Sequence, residues 1–325
     1  MQRRFFLGAL ASLASGFTPV AWTQEAFPSK PIRFIVPFPP GGASDAVARL
    51  LAQKMETRLN QPVLVINVPG AGGNIGTEQV KIAAADGHTW LMGFDGTMVI
   101  NPNLMPKMPF DSIRDFAPVA KIGDVDLVIV ANKNQQIANL KELVAVSKER
   151  AEGLFYGTTG IGSTAHIAGE LLKQATSAKL THVAYKGAGP ATLDVVGGHI
   201  PLAIVAVASV TNHVKSGALT AIAITGATRS KLLPDVPTVA ESGVANYDIT
   251  SWFGMFVPVH TPTKIVAKLN EELNEQLQNP EVRKQIEDAG MAPKGGTAEE
   301  LEAQVKHDLA RYSEIVKSAG IEVQK

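Results

Sequence analysis

The chain of 325 residues contains no cysteine. Thiolate nucleophiles, cysteine-ligated zinc and any disulfide framework are thereby excluded, although an oxidising compartment is not. There is no surplus of charge either, since thirty Lys and Arg face thirty Asp and Glu. The broad basic footprint of a nucleic-acid-binding protein is missing, so no nucleic-acid partner is expected. Beyond the N-terminus no apolar segment approaches the roughly 20 residues that span a bilayer. Signatures of catalysis are equally scarce. "PGAGGNIG" would need glycine at Ile75 to form a dinucleotide fingerprint, but the glycine falls one residue later, at Gly76. No G-x-x-x-x-G-K-[ST] loop occurs, and the seven histidines form neither H-E-x-x-H nor a pair four apart. Neither a cofactor nor a metal is expected.

What is present describes a globular protein. Apolar residues make up 45% and charged residues 18%, and the length allows two domains. The opening "MQRRFFLGALASLASGFTPVAWTQEA" places two arginines before an apolar stretch from Phe5 to about Phe17, followed by small and polar residues. That order reads as a signal peptide over residues 1–26, with the mature protein exported to the periplasm. Arg3 and Arg4 leave both the general and the twin-arginine export routes open.

Apolar runs bounded by Pro and Gly alternate with amphipathic segments, which predicts an α/β protein built on mostly parallel sheets. The strands expected are "IRFIVPF", "PVLVINV", "TWLMGF", "LVIVAN", "LFYGTT", "THVAY", "IPLAIVAV", "TAIAIT" and "WFGMFVP". In the first helix Val47, Leu51, Met55 and Leu59 fall four apart and make one buried face, with Ser44 or Asp45 as its N-cap. Near the C-terminus, Asn279-Pro280 starts another helix, and Thr297 with Glu300 forms a capping box for a third.

Three segments put glycine or small polar residues where a strand hands over to a helix: "PFPPGGASD", "VPGAGGNIG" and "YGTTGIGSTAH". Free N–H groups and a partial positive charge at such a helix start can hold a carboxylate without any basic side chain. A tight turn is the competing use of glycine there. The third loop adds Thr158, Thr159, Ser163 and Thr164, hydroxyls able to donate to an anion. A nucleophilic Ser163 with His166 as base lacks the G-x-S-x-G elbow and any orienting third group, so no catalytic residue is assigned.

Taken in order, "PSKPIRFIVPFPPGGASDAVARLLA", "PGAGGNIGTE", "DGHTWLMG", "INPNL", "FYGTTGIGSTAHIAGELL", "VAYKGAGPA", "TGATRSKLLPDVPTVAESG" and "SWFGMFVP" resemble the extracytoplasmic solute receptors of tripartite tricarboxylate transporters, the Bordetella uptake gene type. The resemblance spans the mature chain. It implies a type II periplasmic binding protein fold, two α/β domains joined by crossover strands around a ligand cleft. Domain 1 would comprise residues 27–125 and 251–325, and domain 2 residues 126–250. The implied partners are a small organic carboxylate and the membrane components of a tripartite transporter, met by a monomeric receptor. On the first loop the implied ligand-facing residues are Phe38, Gly42, Ala43, Ser44 and Asp45, with Asp45 read as holding the loop. Asp95 and Thr97 follow the third strand, and Thr158, Gly162, Ser163 and Thr164 come from the facing loop. Lys186 is the nearest basic candidate, and Gly42 is expected to leave room for the ligand.

The chain also departs from that family. Ile66-Asn67-Val68 stands where relatives commonly read Glu-Asn-Arg, and Asp95 adds a negative charge where small or amide residues are usual. These differences argue against a plain dicarboxylate. Other functions that the same cleft could host are a hydrolase or transferase, and a receptor presenting its ligand to a membrane sensor kinase.

Overall fold

A computed structural model describes residues 27–318, 320 and 321. The signal peptide expected over residues 1–26 lies outside them. The strands are β1 Ile32–Val36, β2 Val63–Asn67, β3 Thr89–Phe94, β4 Phe116–Val125, β5 Leu127–Asn132, β6 Leu154–Thr158, β7 Leu180–Ala184, β8 Leu202–Ala206, β9 Leu219–Ile224, β10 Ser251–Pro258 and β11 Ala292–Pro293. The helices are α1 Ala43–Leu59, α2 Asn74–Lys81, α3 Asn101–Leu104, α4 Leu140–Glu149, α5 Thr164–Thr176, α6 Ala188–Gly197, α7 Val207–Lys215, α8 Thr263–Gln278, α9 Pro280–Asp288 and α10 Ala298–Ser318.

Two sheets form, ordered β11-β4-β10-β3-β1-β2 and β7-β6-β8-β5-β9. The chain passes from the first to the second between β4 and β5, and it returns between β9 and β10. Both sheets are mixed, not mostly parallel. β1 runs parallel to β2 and β3, while β10 runs antiparallel to β3 and β4. In the second sheet β6 is parallel to β7 and β8, and β5 is antiparallel to β8 and β9. The strands next to the crossings supply the antiparallel pairs, and hydrophobic periodicity carries no information about strand direction. β4 escapes the sequence reading because Pro118, Lys121 and Asp124 interrupt its apolar run.

Burial follows the pattern that the sequence sets. β3, β5 and β10 are buried along their whole length, as strands covered on both faces must be. Val47, Leu51, Met55 and Leu59 of α1 are all buried against the first sheet's core. Asn279 caps α9 by accepting from the N–H groups of Glu281 and Val282. Thr297 and Glu300 exchange reciprocal bonds of 2.8 and 3.1 Å at the start of α10. No helix among the described residues is long and apolar enough to cross a membrane.

The carboxyl ends of β1 and β6 are where the first and third glycine loops begin, the edge at which open α/β sheets place their crevices. Close packing fixes the first of these. A Cβ on Gly76 in α2 would lie 2.7 Å from the Val68 carbonyl oxygen and 3.2 Å from Pro37 Cα, backbone that cannot swing aside. Gly76→Ala is expected to destabilise the protein by about 1–3 kcal/mol through overpacking. Gly189→Ala, whose Cβ would meet nothing within 4 Å, should leave stability unchanged or slightly raised. Urea unfolding of both variants checks this, and equal midpoints would show that the approach of α2 to Pro37 is loose.

Candidate functional site

The first glycine loop is held from behind by one carboxylate. Asp45 lies in the first turn of α1, is 5% exposed, and accepts from the Gly41 N–H at 3.0 Å. Asn67 at the end of β2 donates to its other oxygen at 2.9 Å, and the same amide group donates to the Phe38 carbonyl at 3.1 Å. Arg49 completes the group with Nε at 3.1 Å. Burial alone would raise the Asp45 pKa, but bonds from Arg49, the Gly41 N–H and Asn67 hold it below the ordinary carboxylate value. Arg49 is half exposed, so its ion pair is worth little. The shielded bonds from Gly41 and Asn67, at about 1.5–3 kcal/mol for a charged acceptor, do most of the fixing.

The N-cap of α1 is Gly42, without a side-chain cap, and neither Ser44 nor Asp45 takes that position. Asp45 reaches back past the cap to Gly41, so the first N–H groups of a 17-residue helix are left without side-chain acceptors. The positive φ of the loop belongs to Gly41, at 92°, while Gly42 has φ −85°. A Cβ on Gly42 would meet nothing within 4 Å. A side chain at Gly42 therefore meets neither a clash nor a positive φ, so the fold does not require glycine there. Ala43 is half-buried and Ser44 buried beside it.

The facing loop is more self-contained. Ser163 is the N-cap of α5, accepting from the His166 N–H at 3.2 Å and donating to the Gly160 carbonyl at 2.7 Å. That bonding leaves no catalytic pairing with the His166 ring. The fully buried Thr158 lies 2.6 Å from His182 Nε2, and its hydroxyl also meets the Gly160 carbonyl at 3.3 Å. The His166 and His182 rings stack 4.1 Å apart. Burial, and the neighbouring His166, push the His182 pKa down to about 3, and burial lowers that of His166 as well. Both rings are neutral at physiological pH. The hydroxyls that the sequence offered to an anion are thus largely engaged within the protein. Tertiary partners such as His182 on the adjacent strand carry no signal in the sequence around Thr158.

Asp95 joins the two parts of the molecule. Fully buried after β3, it accepts from Thr164 of α5 at 2.6 Å and from Ser251 at the start of β10 at 2.8 Å. Burial drives its pKa up to about 7, with Asp308 adding repulsion and the two hydroxyls opposing. Thr97 is buried and donates to the Phe94 carbonyl. Phe38 stands at the loop's base with its ring 4.6 Å from Phe94 and 6.0 Å from Phe253, an apolar wall at the end of β1 and β3. Gly162 is buried opposite Asn101, and Lys186 is exposed. Sequence reasoning passed over Asn67, quoted only as part of an apolar departure, and Asn101. The structure gives each a bridging amide role.

The raised pKa of Asp95 has a sign that can be measured. The folded protein binds this proton more tightly than the unfolded chain, whose carboxyl titrates near 3.8. Stability conferred by the protonated form is complete below that value and is lost as pH rises from about 4 through 7. Asp95→Asn should remove this loss, so the variant gains on wild type as pH rises from 5 to 8 in urea unfolding. Parallel stability curves for the two proteins would refute it.

Comparison with known proteins agrees with this architecture. The profile of the family described as "Tripartite tricarboxylate transporter family receptor" matches residues 47–321. Protein BugT of Bordetella pertussis is 35% identical over 319 residues, covering 98% of this chain and 97% of that one. Among solved structures, Rpa4515 of R. palustris with adipate is 32% identical with a TM-score of 0.86, covering 91% of this chain and 99% of that one. MatC of Rhodopseudomonas palustris with bound malate is 30% identical with a TM-score of 0.82, covering 89% of this chain and all of that one.

Proposed function

The chain belongs to the tripartite tricarboxylate transporter receptor family, and on that premise we propose that it captures a small organic carboxylate between its two sheets and hands it to a tripartite membrane transporter. The fold is that of the two-domain α/β periplasmic binding proteins, and the family's members are receptors, not enzymes. The observation that carries the carboxylate is the start of α1. Its N–H groups lack side-chain acceptors, the loop before it is pinned by Asp45 and Asn67, and neither residues 37–45 nor residues 157–166 contain a lysine or arginine. A helix start so arranged attracts an anion through its amides and dipole. Pinning lowers the entropy lost on binding, because the loop is already ordered. The adipate and malate held by the two R. palustris relatives support the same ligand class here.

Residues 27–125 with 251–325 form one moving body in this reading, and residues 126–250 the other. Ligand favours the closed arrangement, with Thr164 meeting Asp95 as the parts come together. The receptor works as a monomer in the periplasm, released there by cleavage of its signal peptide.

A melting screen against mono- and dicarboxylates tests the ligand class. At about 100 times the dissociation constant the acid should add roughly 2.7 kcal/mol of stability. Absence of any shift across the screen would contradict carboxylate capture. Gly42→Val should fold normally, since its Cβ faces open space, and yet lose most binding as the branched side chain covers the amides. Lys186→Met should cost far less. The reverse ranking in calorimetric titration would move the anion site away from α1.

A further inference from the structure

We propose that Asn101 Oδ1 accepts a hydrogen bond from a hydroxyl of the cargo, so that the receptor prefers a hydroxy-substituted carboxylate to its unsubstituted counterpart. This deepens the carboxylate-capture reading and rests on it.

Asn101 opens α3 and is 2% exposed. Its side-chain orientation is dictated by its neighbours. Asn74 Nδ2 points at the Met105 sulfur at 3.1 Å, and a thioether can only accept. Asn74 therefore turns its oxygen the other way, where it accepts from Asn101 Nδ2 at 2.9 Å. With its nitrogen so committed, Asn101 presents Oδ1 on the opposite side. That oxygen accepts no hydrogen bond from any described residue. A buried amide acceptor without a donor is costly and rare in folded proteins.

The oxygen points at the seam between the two parts of the molecule. A Cβ on Gly162 would fall 2.5 Å from it, and one on Gly72 would lie 3.4 Å from the amide nitrogen. Glycines from both sheets thus pack against the Asn101 amide with backbone alone and no side chain, and Gly162 lies two residues before Thr164, whose hydroxyl bridges to Asp95. Cargo that enters before the two parts close would reach this acceptor where Gly162 otherwise lies against it.

The donor is a hydroxyl and not an ammonium. Both Asp95 oxygens are engaged by Thr164 and Ser251, and the side chains around the amide, Asn74, Met105 and Leu104, carry no charge. An ammonium would be buried there without a counter-charge, at far greater cost than a hydroxyl.

Calorimetric titration of the full-length mature protein with matched acids tests this: lactate against propionate, malate against succinate, mandelate against phenylacetate, with aspartate beside malate. In at least one pair the hydroxylated acid should bind wild type about tenfold more tightly. Asn101→Leu should bring that pair to within about twofold while still binding the unsubstituted acid. The wild-type ratios stand without the variant, should it fold poorly. Equal affinities within every pair would overturn the proposal and leave carboxylate capture intact, as would discrimination that survives Asn101→Leu. Tighter binding of aspartate than malate would overturn the hydroxyl assignment. Failure of every acid to bind would overturn carboxylate capture itself, and the proposal with it.

Discussion

The Asp45 carboxylate, buried behind the first glycine loop, fixes the geometry on which the rest of the site depends. By accepting from the Gly41 N–H and from Asn67, it stiffens the loop without occupying the helix start in front of it. A carboxylate in the first turn of a helix ordinarily stabilises that helix by approaching its own N–H groups. Here it reaches back past them, and the positive end of α1 stays available. Its lowered pKa keeps it charged, and therefore an acceptor, throughout the physiological range.

On the far side of the seam the chemistry is different in kind. Ser163, Thr158 and the stacked His166 and His182 rings satisfy one another and give the second loop a rigid, neutral face. From this loop Thr164 reaches across, to Asp95. A buried carboxylate with a pKa near 7 gains most from such a donor when it is ionised, so that bond ties the packing of the two parts to protonation. The apolar wall of Phe38, Phe94 and Phe253 leaves the polar work to backbone and amides.

Much of this was legible in the sequence, and the parts that were not share a cause. Apolar runs between Pro and Gly gave nine strands their places, and Asn279 and the Thr297–Glu300 box marked helix starts that the structure bears out. Each of those signals is local. Strand direction, the interrupted β4, the engagement of Thr158 by His182, and the amide relay from Met105 through Asn74 to Asn101 all depend on partners distant in sequence. Asn67 shows the limit most plainly. Read in line it sits in an apolar departure from the family pattern, and read in space it ties β2 to the loop through Phe38 and Asp45.

The most direct measurement of the account is the amide response of isotope-labelled protein to the acid that best raises its melting temperature. Capture by the start of α1 predicts the largest ¹H–¹⁵N shifts at Gly42, Ala43 and Ser44, with smaller ones at Gly162 and Thr164 across the seam. A depression of about 470 Å³ on the second sheet's side, lined by Gln135, Arg150, Phe155 and Pro201, provides a contrasting location. Shifts concentrated there, with residues 42–44 unmoved, would contradict the central claim.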